Sequence, residues 1–307
     1  MSLGFLFPGQ GSQRVGMGRD LYENSEIGRR FYEAANEIMG INLARLSFEG
    51  PSEELKRTEY TQPSIFVVSI ILSEMLMDSG TYPVLAAGHS LGEYTALTAA
   101  GVFSFEDGLT LVKLRGESMQ KAGEENQGTM AAILGLDSKM LEEICEECSN
   151  FGIVTPANFN SQIQIVISGE IDAVKKAMEL AKERGARKTI ALNVSGAFHS
   201  SLMTSAKERI KETLNTIQMN EPKFPVVMNV TAEETTDLEI IRKNLIDQMD
   251  NPVRWIEIIK IMKQAGISHF MEVGPGRVLQ GLNKRIDQSL VTEGISSFNQ
   301  IFEVAHT

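Results

Sequence analysis

Residues 88 to 92, Gly-His-Ser-Leu-Gly, set a serine between two glycines, after an apolar run at 83–87 and before a helix-like stretch at 94–100. A Gly-x-Ser-x-Gly turn can lift a hydroxyl out of a strand-to-helix elbow and expose it for attack on a carbonyl. Such turns also serve as plain connectors. The chemical reading therefore needs a base for Ser90, a group to orient that base, and donors for a developing oxyanion, because a serine hydroxyl is a poor nucleophile until its proton is taken.

The chain has four histidines. His306 is the penultimate residue and is expected to be mobile. His269 falls in an expected strand, where a packed, hydrogen-bonded ring is the ordinary role. His89 adjoins the serine, and neighbours in a sharp turn point apart. His199, in Ser-Gly-Ala-Phe-His-Ser at 195–200, stands at a junction between two kinds of pattern and is the candidate base; a helix-start or core histidine is its ordinary alternative. Asp or Glu orients the imidazole in a triad, but a backbone carbonyl can also do so. Asp247, Gln248 and Asp250 share one segment, and spacing does not choose among them. For the oxyanion, the N–H of Leu91 follows from the elbow, and that of Gln10, in the glycine-rich loop 8–12, is the second candidate. That loop opens as Gly-x-Gly, but Arg14 stands where a dinucleotide fingerprint has its last glycine.

The elements that must carry these residues follow from periodicity. Strands are expected at 3–7, 84–87, 226–229 and 269–273. Helices are expected at 25–40, 61–78, 105–121, 200–216, 237–249, 254–265 and 277–285, with Ser104 capping the third. Between them, 128–192 shows strand, helix, two strands, helix and strand, the order of a ferredoxin-like unit. The expected fold is α/β: a large α/β-hydrolase-like domain with a mostly parallel sheet, residues 1–126 and 194–307, and an inserted ferredoxin-like (βαββαβ) subdomain, 127–193. The serine turn then lies at the carboxyl end of a strand, where such sheets place their sites.

Composition agrees with a globular protein of 307 residues, with 42% hydrophobic and 22% charged residues. A net charge of -11 argues against general nucleic-acid binding. No basic region precedes the first apolar run, and the longest apolar stretch, 65–77, is too short and polar to span a membrane, so a cytoplasmic location is expected. Cys145 and Cys148 lie in a helix-like stretch without further ligands nearby, which favours two reduced thiols over a metal site.

Several segments together resemble the malonyl-CoA:acyl-carrier-protein transacylases of the acyl transferase family. They are FPGQGSQ (7–13), TQPS (61–64), GHSLGEY (88–94), LVKLRGESMQ (111–120), GTMAAILG (128–135), ANFNSQIQIVISG (157–169), VSGAFHSSLM (194–203), QMDNPVRW (248–255) and EVGPGRVLQGL (272–282). The resemblance implies Ser90 as acylated nucleophile, His199 as its base, and the main-chain carbonyl of Gln248 as its orienter. It also implies an oxyanion hole at Gln10 and Leu91, and Arg115 as the ligand of the malonyl carboxylate. Gln62 and Asn160 match positions that line or support the site, and Phe198 one that narrows the pocket against branched acyl groups. It implies ping-pong transfer from malonyl-CoA to the phosphopantetheine thiol of acyl carrier protein, in fatty-acid synthesis, with CoA as product and no bound cofactor. Neither a membrane nor a nucleic acid is implied as partner.

Two departures stand out. Gln162-Ile163-Gln164 replaces the family's usual Pro-Gly-Gln, which predicts an altered turn, and Ser201 stands where proline is common. Without the resemblance, Arg115 reads as a surface helix arginine paired with a residue such as Glu117. A basic rim for acidic partners is expected at Arg187, Lys188, Lys284 and Arg285. The rival readings are a polyketide-type acyl transferase, a serine esterase or thioesterase, and a silent acyl-CoA-binding protein. A thioesterase has its histidine late in the chain, whereas a long stretch follows His199.

Overall fold

The computed structural model describes residues 2–305; His306 lies outside them. Among the described residues, ten strands form two sheets. The larger has the order β10-β9-β1-β2-β7-β8, built from β1 (Leu3–Phe7), β2 (Leu85–Gly88), β7 (Val226–Val227), β8 (Glu234–Thr235), β9 (His269–Val273) and β10 (Val291–Ile295). Its pairings are parallel except that of β7 with β8. Helices cover both faces, so the central strands are apolar on both sides. In β1, Phe5 and Phe7 enter one core while Leu6 enters the other, and in β2 Ala86 opposes Leu85 and Ala87 in the same way.

The smaller sheet has the order β4-β5-β3-β6 and is antiparallel throughout. Its strands are β3 (Gly128–Leu134), β4 (Val154–Ser161), β5 (Gln164–Glu170) and β6 (Lys188–Ala191). The first strand pairs with the third and the fourth, as a ferredoxin-like unit requires. The helices Ser138–Glu147 and Ile171–Glu183 bury one stripe each against this sheet, and with them Ile133, Ile165, Ile167 and both cysteines form a separate core. The cysteines are unpaired and buried. The small sheet is tied to the segment before the helix Trp255–Gln264 by a bridge between Asn158 of β4 and Val253, with Val253 N–H donating to Ala157 O and Phe159 N–H to Val253 O, each at 2.9 Å.

The α/β pattern expected from periodicity is present, with corrections at element ends. The expected helix at 61–78 starts a turn earlier, as Thr58–Asp78, and carries Pro63 inside it. By length and composition it is long and apolar enough to cross a membrane, contrary to the shorter apolar run in the sequence; here it is buried in the core. The region 200–216 is a short 3-10 turn, Ser201–Met203, followed by the helix Thr204–Leu214. The strand expected at 226–229 stops at Val227, which frees Asn229 from the ladder. The departure at 162–164 is a turn between β4 and β5 in which Ile163 is exposed and Gln162 Nε2 donates to Ile286 O at 3.3 Å.

Trp255, fully buried at the start of the helix Trp255–Gln264, ties this frame together. Its ring lies 5.4 Å from that of His89, and its Nε1 donates to Asn283 Oδ1 at 3.2 Å. Truncation to Trp255→Ala is expected to cost about 3–5 kcal/mol of stability, read as a lower urea midpoint. A loss under about 1 kcal/mol would show that this face collapses onto the gap.

Candidate active site

Gln10, Ser90 and Asn229 follow the carboxyl ends of the neighbouring parallel strands β1, β2 and β7. The elbow between β2 and the helix Leu91–Ala99 is so close-packed that only glycine fits beside the serine. A Cβ on Gly92 would lie 2.0 Å from Phe7 O, and one on Gly88 would lie 1.9 Å from the backbone of Gly92. Ser90 itself adopts φ 53, ψ -104. Its backbone is clasped from both sides: Ser90 N–H donates to Asn229 Oδ1 at 2.8 Å, and Gln248 Nε2 donates to Ser90 O at 2.9 Å.

Ser90 Oγ lies 2.8 Å from His199 Nε2, and His199 Nδ1 lies 2.8 Å from the carbonyl oxygen of Gln248. The carbonyl can only accept, so Nδ1 carries the proton and Nε2 is free to take one from the serine. This resolves the choice of orienter left open by spacing. Asp247 and Asp250 do not reach the imidazole; both pair with Lys207. Burial drives the His199 pKa down to about 3, the Arg115 charge adds to the effect, and the Gln248 carbonyl resists it. The ring is therefore neutral at ordinary pH.

Arg115 is the main correction to a reading from local pattern. It is not on the surface and does not pair with Glu117; it is 1% exposed. Its Nη1 donates to Gln62 Oε1 at 2.8 Å, and its Nη2 donates to Gln248 Oε1 at 2.8 Å and to Ser90 Oγ at 3.0 Å. The guanidinium sits over the Tyr94 ring at 5.3 Å. Its Nε has no acceptor among the described residues. A buried cation beside a serine hydroxyl, with donor capacity to spare, suits a carboxylate ligand.

These residues border a cleft of about 110 Å³. Gln10 and Leu91 line it, and among the described residues neither backbone N–H donates to another protein group. The opposite wall is apolar: Met119, Met130, Leu192, Val194 and Phe198. Asn160 supports rather than lines the cleft, its Oδ1 lying 2.8 Å from His89 Nε2, whereas Asn158 of the same strand faces the cleft. His89 is thus a bridge between the two sheets. His269 is paired with Glu293 at 3.3 Å, away from the site.

Sequence reasoning missed Asn158, Asn229 and Glu93. Glu93 is fully buried, accepts from Asn229 N–H at 2.7 Å and also from Gln248 Nε2. A signal was present: it is the one charged side chain in Leu91–Ala99, a helix otherwise made of apolar, small or neutral polar residues.

The profile of the acyl transferase domain matches residues 4–297. The chain is 44% identical over 295 residues to the malonyl CoA-acyl carrier protein transacylase of Bacillus subtilis, covering 96% of this chain and 93% of that one. Among solved structures, that of the malonyl CoA-acyl carrier protein transacylase from Coxiella burnetii superposes with a TM-score of 0.96 at 38% identity, covering 99% of this chain and 97% of that one. A malonyl-transacylase solved in complex with a type II polyketide acyl-carrier protein gives a TM-score of 0.96 at 38% identity, covering 100% and 99%. The two-sheet fold, the clasped serine elbow and this end-to-end similarity lead to one assignment: the chain belongs to the acyl transferase family, among its malonyl CoA-acyl carrier protein transacylases.

Proposed function

We propose that this protein transfers the malonyl group of malonyl-CoA to the phosphopantetheine thiol of acyl carrier protein, in the service of fatty-acid synthesis. The observation that carries the reading is the contact of Ser90 Oγ with both His199 Nε2 and the buried Arg115. Ser90 attacks the thioester, His199 takes its proton, and CoA leaves with a proton returned by the same imidazole. The carrier thiol then attacks the malonyl-serine ester with the same general base. The N–H groups of Gln10 and Leu91 stabilise the oxyanion of each tetrahedral intermediate. Gln62 and Gln248 hold Arg115, Asn160 holds His89, and Phe198 limits the room for the acyl chain.

The role of Arg115 extends beyond binding. Its positive charge opposes protonation of His199. A malonyl carboxylate paired with the guanidinium cancels that repulsion, so proton transfer to His199 becomes easier when the donor carries the carboxylate. Acetyl-CoA brings no such charge. Selectivity then acts on the chemical step as well as on affinity.

The rest of the reading has narrower support. Residues 127–193 act as an inserted subdomain over a large discontinuous domain, 1–126 and 194–307, because the small sheet has its own core. Arg187, Lys188, Lys284 and Arg285 form the rim that meets the acidic carrier. The two unpaired cysteines suit a reducing, cytoplasmic location. The complex of a related transacylase with a polyketide carrier protein keeps that carrier class open to a direct assay.

Incubation with malonyl-CoA alone is expected to add one malonyl group by intact mass, to fail in Ser90→Ala, and to clear when carrier protein is added. CoA release without an adduct would instead indicate a thioesterase. In Arg115→Ala, malonyl acylation is expected to fall by at least about thirtyfold, the equivalent of the roughly 2 kcal/mol lower bound for losing a buried charge pair, with a smaller change for acetyl. Equal losses for both donors would remove the carboxylate role. Because the His199 pKa is depressed to about 3, the imidazole stays neutral well below its usual range. The rate of malonyl-dependent CoA release is therefore expected not to fall as pH drops through about 6.5. An acid limb centred there would mean a solvated histidine.

A further inference from the structure

The acyl-transfer steps leave the buried carboxyl group of Glu93, next to the Arg115 network, unused. Glu93 is fully buried and Arg115 is 1% exposed. They do not touch. A single amide stands between them: Gln248 Oε1 accepts from Arg115 Nη2 at 2.8 Å, and Gln248 Nε2 donates to Glu93. The charges are thus paired through a relay, which leaves the guanidinium free to meet a second carboxylate. With malonyl bound, one buried cation faces two carboxylates, an arrangement in which like charges do not both stay ionised.

Resting on the transacylase reading, we infer that Glu93 is the charge-balancing group of this site, ionised opposite Arg115 at rest and protonated when a malonyl carboxylate pairs with that arginine. The proton comes from the buffer: above pH 7, where Glu93 is mostly ionised at rest, uptake approaches one proton per malonyl group bound, with none per acetyl group. The ester bond forms and CoA thiol leaves identically in both cases.

The surroundings of Glu93 suit this role. Burial raises its pKa to about 7, against the opposing pull of Asn229 N–H, the Gln248 amide and the Arg115 charge. The group is therefore poised where a modest change of field moves its proton. Arg115, from the helix Phe105–Glu125, and Tyr94, on its own helix, are the charged and titratable groups that act on it. Tyr94 is itself raised by burial to about 12 and stays neutral. His199, which shares the Arg115 field, stays neutral as well. Occupation of Arg115 by substrate withdraws the one cation that favours the ionised form of Glu93 and adds a repulsive anion. Both effects raise the pKa further. The chain keeps a neutral acid or a paired carboxylate at this position, never two uncompensated anions.

The test equilibrates the enzyme with malonyl-CoA and CoA, and separately with acetyl-CoA and CoA, from about pH 6 to pH 8.5, with acyl-Ser90 quantified by intact mass. The acetyl arm cancels the contribution of the CoA thiol, and Glu93→Gln separates Glu93 from His199, whose repulsion by Arg115 is relieved by malonyl alone. One linked proton makes the ratio of malonyl to acetyl loading constants fall about tenfold per pH unit above pH 7. Glu93→Gln is expected to flatten that slope. A flat ratio in the native enzyme overturns the inference, as does an unchanged slope in Glu93→Gln. If that variant does not fold, the native enzyme in weak buffer with an indicator dye decides: about one proton taken up per malonyl adduct at pH 8, and none per acetyl adduct, supports it. A malonyl adduct formed without uptake overturns it. Absence of any malonyl adduct on Ser90 in the native enzyme removes the transacylase reading itself.

Discussion

Removing a guanidinium from water costs several kcal/mol unless its donors are met, and the core of this protein is arranged around that requirement at Arg115. Gln62, Gln248 and Ser90 supply acceptors, and the Tyr94 face supplies a π surface. No carboxylate among these contacts neutralises the cation directly. The helix Phe105–Glu125 must run beneath the elbow to deliver the arginine, and the helix Thr58–Asp78 must pack beside it to deliver Gln62. Gln248 must meet Arg115 with its oxygen and Glu93 and Ser90 with its nitrogen, while its own carbonyl meets His199. One residue therefore fixes the orientation of the cation, the base and the serine backbone together.

The same network holds strain in place. Among the described residues, three other than glycine have positive φ, and two of them are Ser90 and His199. Left-handed backbone at such residues costs about 1–3 kcal/mol each and persists only where the surroundings over-determine it. At Ser90 the surroundings are Asn229 and Gln248, gripping its N–H and its carbonyl. At His199 the ring is fixed at both nitrogens, and Ser200 closes the following turn by donating to Ala197 O at 2.6 Å. The strain lies in the two residues whose side chains must face each other across the cleft, which helices and strands in their ordinary conformations would not achieve.

Much of this was legible in the sequence, for reasons particular to each element. The apolar run of β1, the glycines of the elbow and the strand-helix order of 128–192 are local patterns, and local patterns survive folding. Elimination among the histidines left His199 as the candidate base, with a helix-start or core histidine as its alternative, and the structure places its Nε2 2.8 Å from Ser90 Oγ. Its orienter was not legible, because a backbone carbonyl leaves no side-chain signature, and two nearby aspartates offered false alternatives that turn out to serve Lys207. Arg115 failed for a related reason: charge in a helix reads as surface unless the long-range partners, 53 and 133 positions away, are known. Asn229 was invisible until the ends of β2 and β7 came together, whereas Glu93 showed itself only as the lone charge of its helix. The helix that holds Pro63 begins at Thr58, one turn before the expected start at 61, so that the proline lies inside it.

The two sheets divide the work. The polar machinery (Ser90, Gln10, Arg115, Gln248) belongs to the large sheet and its helices. Much of the apolar wall comes from the small sheet and the segment returning from it: Met130 in β3, Leu192 and Val194 just after β6, and Phe198 before the histidine. An acyl-enzyme that waits for a second substrate must keep water off an activated ester while still admitting a thiol. An apolar wall does the first, since water gains no hydrogen bonds there, and a cleft between two separately cored sheets permits the second. The bond between His89 and Asn160 couples the wall to the elbow, placing a residue next to the serine in contact with the strand that faces it. The apolar wall and the serine elbow are therefore held by the same joint.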